Sequence, residues 1–251
     1  MKNLVEIGSL TARNGFKNEQ DVIDVFNDWE NSQLAQDWLC AMNYVIRDIE
    51  SVHAEKIVGK YKGDIQVQVK VTIQLRSLVD CQNISIKLVS NSTGFNQVDK
   101  RWLKDYQALW NMPNDVYKVL QYFTGERSPY REDTKDKRRM FLHEMEEQER
   151  NIVLKWFDIN KSLVVCDVLK GRGQFSAEWM LVTQKIGTKL KWALKPMNEV
   201  MNFYLQGGVQ MSPKGSIRLG RITVQRKGGD GGRDTAKMLQ FKINPVEMFE
   251  L

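Results

Sequence analysis

Asp64 and Lys87 are the residues whose types and spacing best suit chemistry. Asp64 opens the run Asp64-Ile65-Gln66-Val67-Gln68-Val69-Lys70-Val71-Thr72-Ile73, and Lys87 lies in a second run, Asn83-Ile84-Ser85-Ile86-Lys87-Leu88. Strict apolar/polar alternation marks a strand with one buried face, and residues two apart share that face. Ile65, Val67, Val69 and Val71, with Ile84, Ile86 and Leu88, form the buried set. Asp64, Ser85 and Lys87 are left on the other face. A turn centred near Leu75 and Arg76 joins the runs as an antiparallel hairpin and sets Asp64 almost directly opposite Lys87, on the solvent side.

A carboxylate and an ammonium on a rigid two-stranded scaffold suit metal-assisted phosphodiester hydrolysis. Asp64 would hold Mg²⁺, with the backbone carbonyl of Ile86 and a substrate phosphate oxygen completing the ligand set. Lys87 would orient or polarise the attacking water and stabilise charge on the phosphorane. The same spacing also fits a plain cross-strand ion pair, worth a few tenths of a kcal/mol at a surface.

The elements that must position this pair follow from periodicity. Val22, Val25, Phe26 and Trp29 fall on one helical face between Lys17 and Trp29, and Leu34, Trp38, Leu39 and Met42 repeat the pattern. Further helices are predicted at Val98–Trp110, Val116–Phe123, Arg139–Trp156 and Asn198–Leu205. Strands are predicted at Ser162–Leu169 and Ala177–Ile186. Ser216–Gln225 and Lys237–Ile243 alternate and are joined by the turn Gly228-Gly229-Asp230-Gly231-Gly232-Arg233. The 251 residues are 42% apolar and 27% charged, with no repeat or low-complexity tract. They read as a single α/β domain over 1–251, mainly catalytic in 1–125 and mainly substrate-recognising in 126–251.

The net charge of +6 is concentrated. Between Met211 and Lys242 eight basic residues face two acidic ones, so this segment alone carries the whole excess and favours a polyanionic partner. Three widely spaced cysteines argue against a disulfide framework or structural zinc and for a reduced, cytoplasmic protein. No apolar run reaches bilayer-spanning length, which excludes a membrane partner. The glycine-rich turn lacks the Gly-Lys-Ser/Thr ending of a phosphate loop, so no nucleotide cofactor is expected. His53 and His143 are isolated and are expected to be structural.

Several segments together resemble a known family. Asp64, twenty intervening residues and Ser85-Ile86-Lys87 are similar to the PD-(D/E)xK nuclease motif. Glu6-Ile7-Gly8-Ser9, Asn14-Gly15-Phe16-Lys17-Asn18-Glu19, Lys87-Leu88-Val89-Ser90-Asn91, Gly94-Phe95-Asn96-Gln97, Thr134-Lys135-Asp136-Lys137-Arg138-Arg139-Met140 and Gln225-Arg226-Lys227-Gly228-Gly229-Asp230 resemble the small type II restriction endonucleases that cut GCGC, of which HhaI is a member and MspI a more distant relative. The resemblance implies a central mixed, largely antiparallel sheet flanked by helices, with a C-terminal β-hairpin for DNA readout. It also implies Mg²⁺-dependent cleavage of double-stranded DNA at GCGC. Ser85 stands where the superfamily carries an acidic residue or Gln, and Gly63 where it carries Pro. The resemblance therefore points to Glu19, on the first helix and off its apolar stripe, as the source of a second carboxylate. A helix-start charge favoured by the macrodipole explains Glu19 equally well.

A two-stranded ribbon fits the major groove, where Arg or Lys pairs with guanine and Asp accepts from cytosine. Gln225, Arg226, Lys227, Asp230 and Arg233 match that chemistry. Asn96 and Gln97 suit base edges, and Phe95 suits either a wedge in a base step or a core position. Lys135, Lys137 and Arg138 suit backbone phosphates. A palindromic site invites a two-fold dimer, and a monomer or weak homodimer is expected. The alternative from a different class is a catalytically inactive, sequence-specific DNA-binding protein, with Ser85 recording the lost site.

Overall fold

The computed structural model describes residues 19–251 except 60, 74–75, 90–93, 187–188 and 230–232. The chain forms two compact units. The first comprises 1–94, 169–200 and 244–251, and the second 95–168 and 201–243. The chain leaves the first unit after its third strand and returns to it twice.

The first unit contains helices α1 (Glu19–Asn27) and α2 (Gln33–Ala41) and a five-stranded sheet. Its strands are β1 (Ile49–Lys56), β2 (Ile65–Ile73), β3 (Arg76–Val89), β5 (Trp179–Ile186) and β6 (Lys189–Pro196), in the order β1-β2-β3-β5-β6. Only β3 and β5 run parallel, so the sheet is mixed and largely antiparallel. Val22, Ile23 and Phe26 of α1 and Trp38 and Leu39 of α2 pack with Ala54, Ile65, Val67, Ile84 and Ile86 in one core. The Asn27 side chain fixes α1 to the sheet edge, donating to the Ala54 carbonyl at 3.1 Å and accepting from the Ala54 amide at 2.7 Å. It thereby satisfies a strand edge that has no neighbour in the sheet order. The turn Pro245–Glu250 packs against β3, β5 and β6.

The second unit is built on an all-antiparallel sheet of order β4-β10-β9-β8-β7. These strands are β4 (Asn96–Arg101), β7 (Val209–Met211), β8 (Ile217–Leu219), β9 (Ile222–Arg226) and β10 (Leu239–Ile243). Helices α3 (Leu103–Trp110), α4 (Asn114–Thr124) and α5 (Glu147–Ile159) lie within it, while α6 (Lys161–Leu169) and α7 (Met197–Leu205) run across the unit boundaries. Tyr106 stacks on Trp110, and both meet Phe241 edge-on.

Three expectations change. Ser162–Leu169 is helical, because its buried residues Val164, Val165, Val168 and Leu169 follow helical spacing and its β-branched composition misleads. Val98–Trp110 begins as strand β4 and turns helical only after Trp102. Arg139–Trp156 becomes α-helical only from Glu147, after a 3-10 turn at Leu142–Glu144. Strands β1 and β6 and the short β7 were not expected. The C-terminal hairpin is β9–β10, closed by twelve residues that include the turn Asp234–Lys237, and Gly220 at φ 58° bends the chain between β8 and β9.

Candidate active site and nucleic-acid interface

Asp64 precedes β2 and is held from both sides, its amide donating to the Ile84 carbonyl at 2.8 Å and its carbonyl accepting from the Ile57 amide at 3.2 Å. Ile65 pairs with Ile84, and the register runs on to Ile73 opposite Arg76. Extending that register by one residue puts Ser85, not Lys87, opposite Asp64. The expected face is correct, but the pairing is offset by two residues.

The face is also not a solvent face. Ser85 is 3% exposed, and the side chains of Lys87 and Asp64 are 16% and 29% exposed. The strand β3 is central, with Ser85 beside Met180 and Lys87 beside Val182, both buried on β5.

Lys87 reaches back along its strand. Its Nζ donates to Ser85 Oγ at 2.9 Å and to the Ile86 carbonyl at 3.0 Å, and lies 3.6 Å from Asp64 Oδ2. The same Oδ2 accepts the Ile86 amide at 2.5 Å and Ser85 Oγ–H at 3.3 Å. A carboxylate, a hydroxyl and a carbonyl thus converge on one cationic group. That all-oxygen set already suits a cation, and Mg²⁺ is held by one or two carboxylates together with water and phosphate oxygens. Among the described residues no cluster of three or more acidic, His or Cys side chains offers a further metal site.

Glu19 lies at the start of α1, bonded by Lys56 Nζ at 3.2 Å. The buried residues Val22, Ile23 and Phe26 put it three, four and seven positions before them, on the packing face of the helix rather than off it. Burial raises its carboxyl pKa. The hydrogen bond and charge of Lys56, a backbone N–H and the charge of Lys87 outweigh this and hold it below the usual carboxylate value. Lys56 was not singled out in the sequence; its partner across 37 residues depends on the fold.

In the second unit the proposed DNA-facing residues divide. Phe95 is 50% exposed, Gln97 is exposed and Asn96 is half-buried at the start of β4. Lys135, Lys137, Arg138 and Arg233 are exposed, and Gln225 and Lys227 are half-buried. Lys137 Nζ donates to the Glu132 carbonyl. Arg226 differs. It is 8% exposed, with Nε donating to the Ala236 carbonyl at 3.0 Å and Nη1 lying 3.7 Å from Asp136, so it braces the hairpin loop from inside. Asp230 lies outside the described residues, as do residues 1–18 and 90–93.

Asp136 is the residue that sequence reasoning passed over. Its carboxylate accepts Arg138 Nε at 2.9 Å and Nη2 at 3.1 Å, and lies within 3.6 Å of Arg139 and 3.7 Å of Arg226. A lone acid inside a basic run was the available signal. His53 is exposed, and His143 stacks on Phe141 with ring centroids 5.7 Å apart. No described helix is long and apolar enough to cross a membrane.

Comparison with known proteins gives three findings. The model of the R.HinP1I restriction endonuclease family matches residues 42–249. No curated protein sequence matches the chain. A crystal structure of restriction endonuclease MspI in complex with its cognate DNA superimposes with a TM-score of 0.61 at 13% identity, covering 89% of this chain and 87% of that one.

Proposed function

The chain belongs to the R.HinP1I restriction endonuclease family, and from that premise we propose that it makes Mg²⁺-dependent double-strand cuts in duplex DNA at GCGC. The convergence of Asp64, Ser85, the Ile86 carbonyl and Lys87 carries the reading.

Asp64, the Ile86 carbonyl and Glu19 would hold the metal, with Ser85 as a neutral neighbour. When bound, the ion supplies Lewis-acid polarisation of the scissile phosphate and a more acidic water. Lys87 presents its ammonium beside the same oxygens, where it orients the nucleophile and stabilises negative charge on the phosphorane. Ser85 fixes Lys87 by accepting its hydrogen bond. The partial burial of the site strengthens each of these interactions.

Lys135 and Lys137 are assigned to backbone phosphates, Phe95 to a base step, and Asn96, Gln97, Gln225, Lys227, Asp230 and Arg233 to base edges. MspI, of similar fold, was crystallised with its cognate DNA, which supports a duplex as the partner. A monomer or weak homodimer is the proposed active form. The test is incubation with a long DNA of known sequence, with Mg²⁺ or with EDTA. Discrete fragments ending at GCGC only with Mg²⁺ support the proposal. Intact DNA that is nevertheless retarded on a gel favours the inactive DNA-binding reading.

A further inference from the structure

We infer that Arg138 reads a guanine edge in the major groove and that Asp136 is the positioning residue that aims it. The inference rests on the proposed DNA-cleaving function and assigns Arg138 a role different from a general grip on phosphates.

Arg138 has a side chain 75% exposed, yet it is held in one orientation. Its Nε and Nη2 donate to the two oxygens of Asp136 at 2.9 and 3.1 Å, and its own amide donates to Asp136 Oδ1 at 3.1 Å. Asp136 is itself fixed. Its carbonyl accepts the Arg139 amide at 3.1 Å and the Thr134 hydroxyl at 3.4 Å, and Glu144 Oε1 takes the Lys135 amide at 2.6 Å. Arg139 and Arg226 flank the carboxylate from the buried side, and the Arg139 guanidinium lies 3.9 Å from the centre of the Phe141 ring.

A guanidinium has a planar fork with five N–H donors. Asp136 engages the Nε/Nη2 edge, which leaves the Nη1/Nη2 end facing outward in a fixed plane. That end matches guanine N7 and O6. A phosphate contact needs no such plane, since a mobile Lys or Arg serves it as a charge. Ordering an exposed arginine costs side-chain entropy, which only a directional contact recovers. A carboxylate beside the fork also repels a phosphate, whereas it does not oppose the neutral edge of a base.

The test measures binding, in EDTA so that the DNA stays intact, to a duplex centred on GCGC and to the same duplex with 7-deazaguanine, which lacks N7, in place of each guanine in turn. The wild type should lose about tenfold to a hundredfold at one guanine. In Arg138→Ala that particular loss should disappear, while losses at the other guanines persist. Asp136→Asn should shrink the same loss, and adding it to Arg138→Ala should change discrimination no further, a coupling that a purely structural role would not produce. If Arg138→Ala instead weakens both duplexes equally and reduces the slope of log K against log salt by about one, Arg138 contacts a phosphate and the inference fails while the endonuclease reading stands. If the wild type does not distinguish a GCGC duplex from a scrambled one, both fail.

Discussion

The ammonium of Lys87 lies 3.6 Å from Oδ2 of Asp64 although Ser85 is the residue that stands across the strand from Asp64. Lysine closes the gap by folding back over Ser85 and the Ile86 carbonyl. The two charges meet in a partly buried setting, where they interact more strongly than an exposed pair does. Asp64→Asn and Lys87→Ala are each expected to lower the single-turnover cleavage rate by about 10²–10³-fold. DNA affinity in EDTA should change only a few-fold. Cleavage that survives either substitution would remove these residues from the chemistry.

Ser85→Ala tests the departure from the acidic motif. Its hydroxyl bridges Lys87 and Asp64, and losing one such hydrogen bond costs about 1 kcal/mol, or roughly fivefold in rate. The expected outcome is a several-fold slower enzyme with an unchanged fold by circular dichroism. Complete inactivation would show that the hydroxyl does more than position Lys87.

Asn27→Ala removes two of the hydrogen bonds that join α1 to β1. A loss of about 1–2 kcal/mol in urea unfolding is expected. Because Glu19 rides on the same helix, the variant should also need a higher Mg²⁺ concentration for half-maximal cleavage.

The carboxyl of Asp136 is held below the usual carboxylate range, first by the Arg138 hydrogen bond and against the opposing effect of burial, with the charges of Arg138 and Arg139 adding to it. A depressed folded-state pKa contributes stability that is fully present above the ordinary aspartate value and is lost as pH falls through the lowered one. Asp136→Asn should therefore lower stability near neutral pH and flatten the acid limb of the stability curve. Burial also lowers the pKa of Arg139 and Arg226, and both would lose their counter-charge. Allowing for screening at a partly exposed site, the cost at pH 7 is about 1–2 kcal/mol by denaturant titration.

Strands β2 and β3 were legible because their alternation is strict, and a period of two fixes which residues share a face whatever the exact pairing. Hence Asp64, Ser85 and Lys87 could be grouped correctly while their register was offset by two residues. Helices α1, α2, α4 and α7 were legible from their apolar stripes, although Glu19 was placed on the wrong side of α1. The stripe through Val22, Val25, Phe26 and Trp29 does face the core, and Ile23 joins it as a fully packed member, which only the sheet beneath decides. Helix α6 was misread because β-branched residues favour strands locally, whereas burial of Val164, Val165 and Val168 decides the outcome.

The sequence by itself determined the chemistry available: one carboxylate and one lysine on a common strand face, a serine where an acid is usual, and a basic C-terminal third. Covalent spacing and side-chain type suffice for that. Only the tertiary structure decided that β5 flanks β3 and buries Ser85, that Lys56 captures Glu19, that Arg226 is enclosed by its own hairpin loop, and that Asp136 stands between three arginines. Those outcomes depend on contacts between residues distant in sequence or on the enclosure of a loop, and burial and charge compensation are properties of the assembled surroundings rather than of any local pattern.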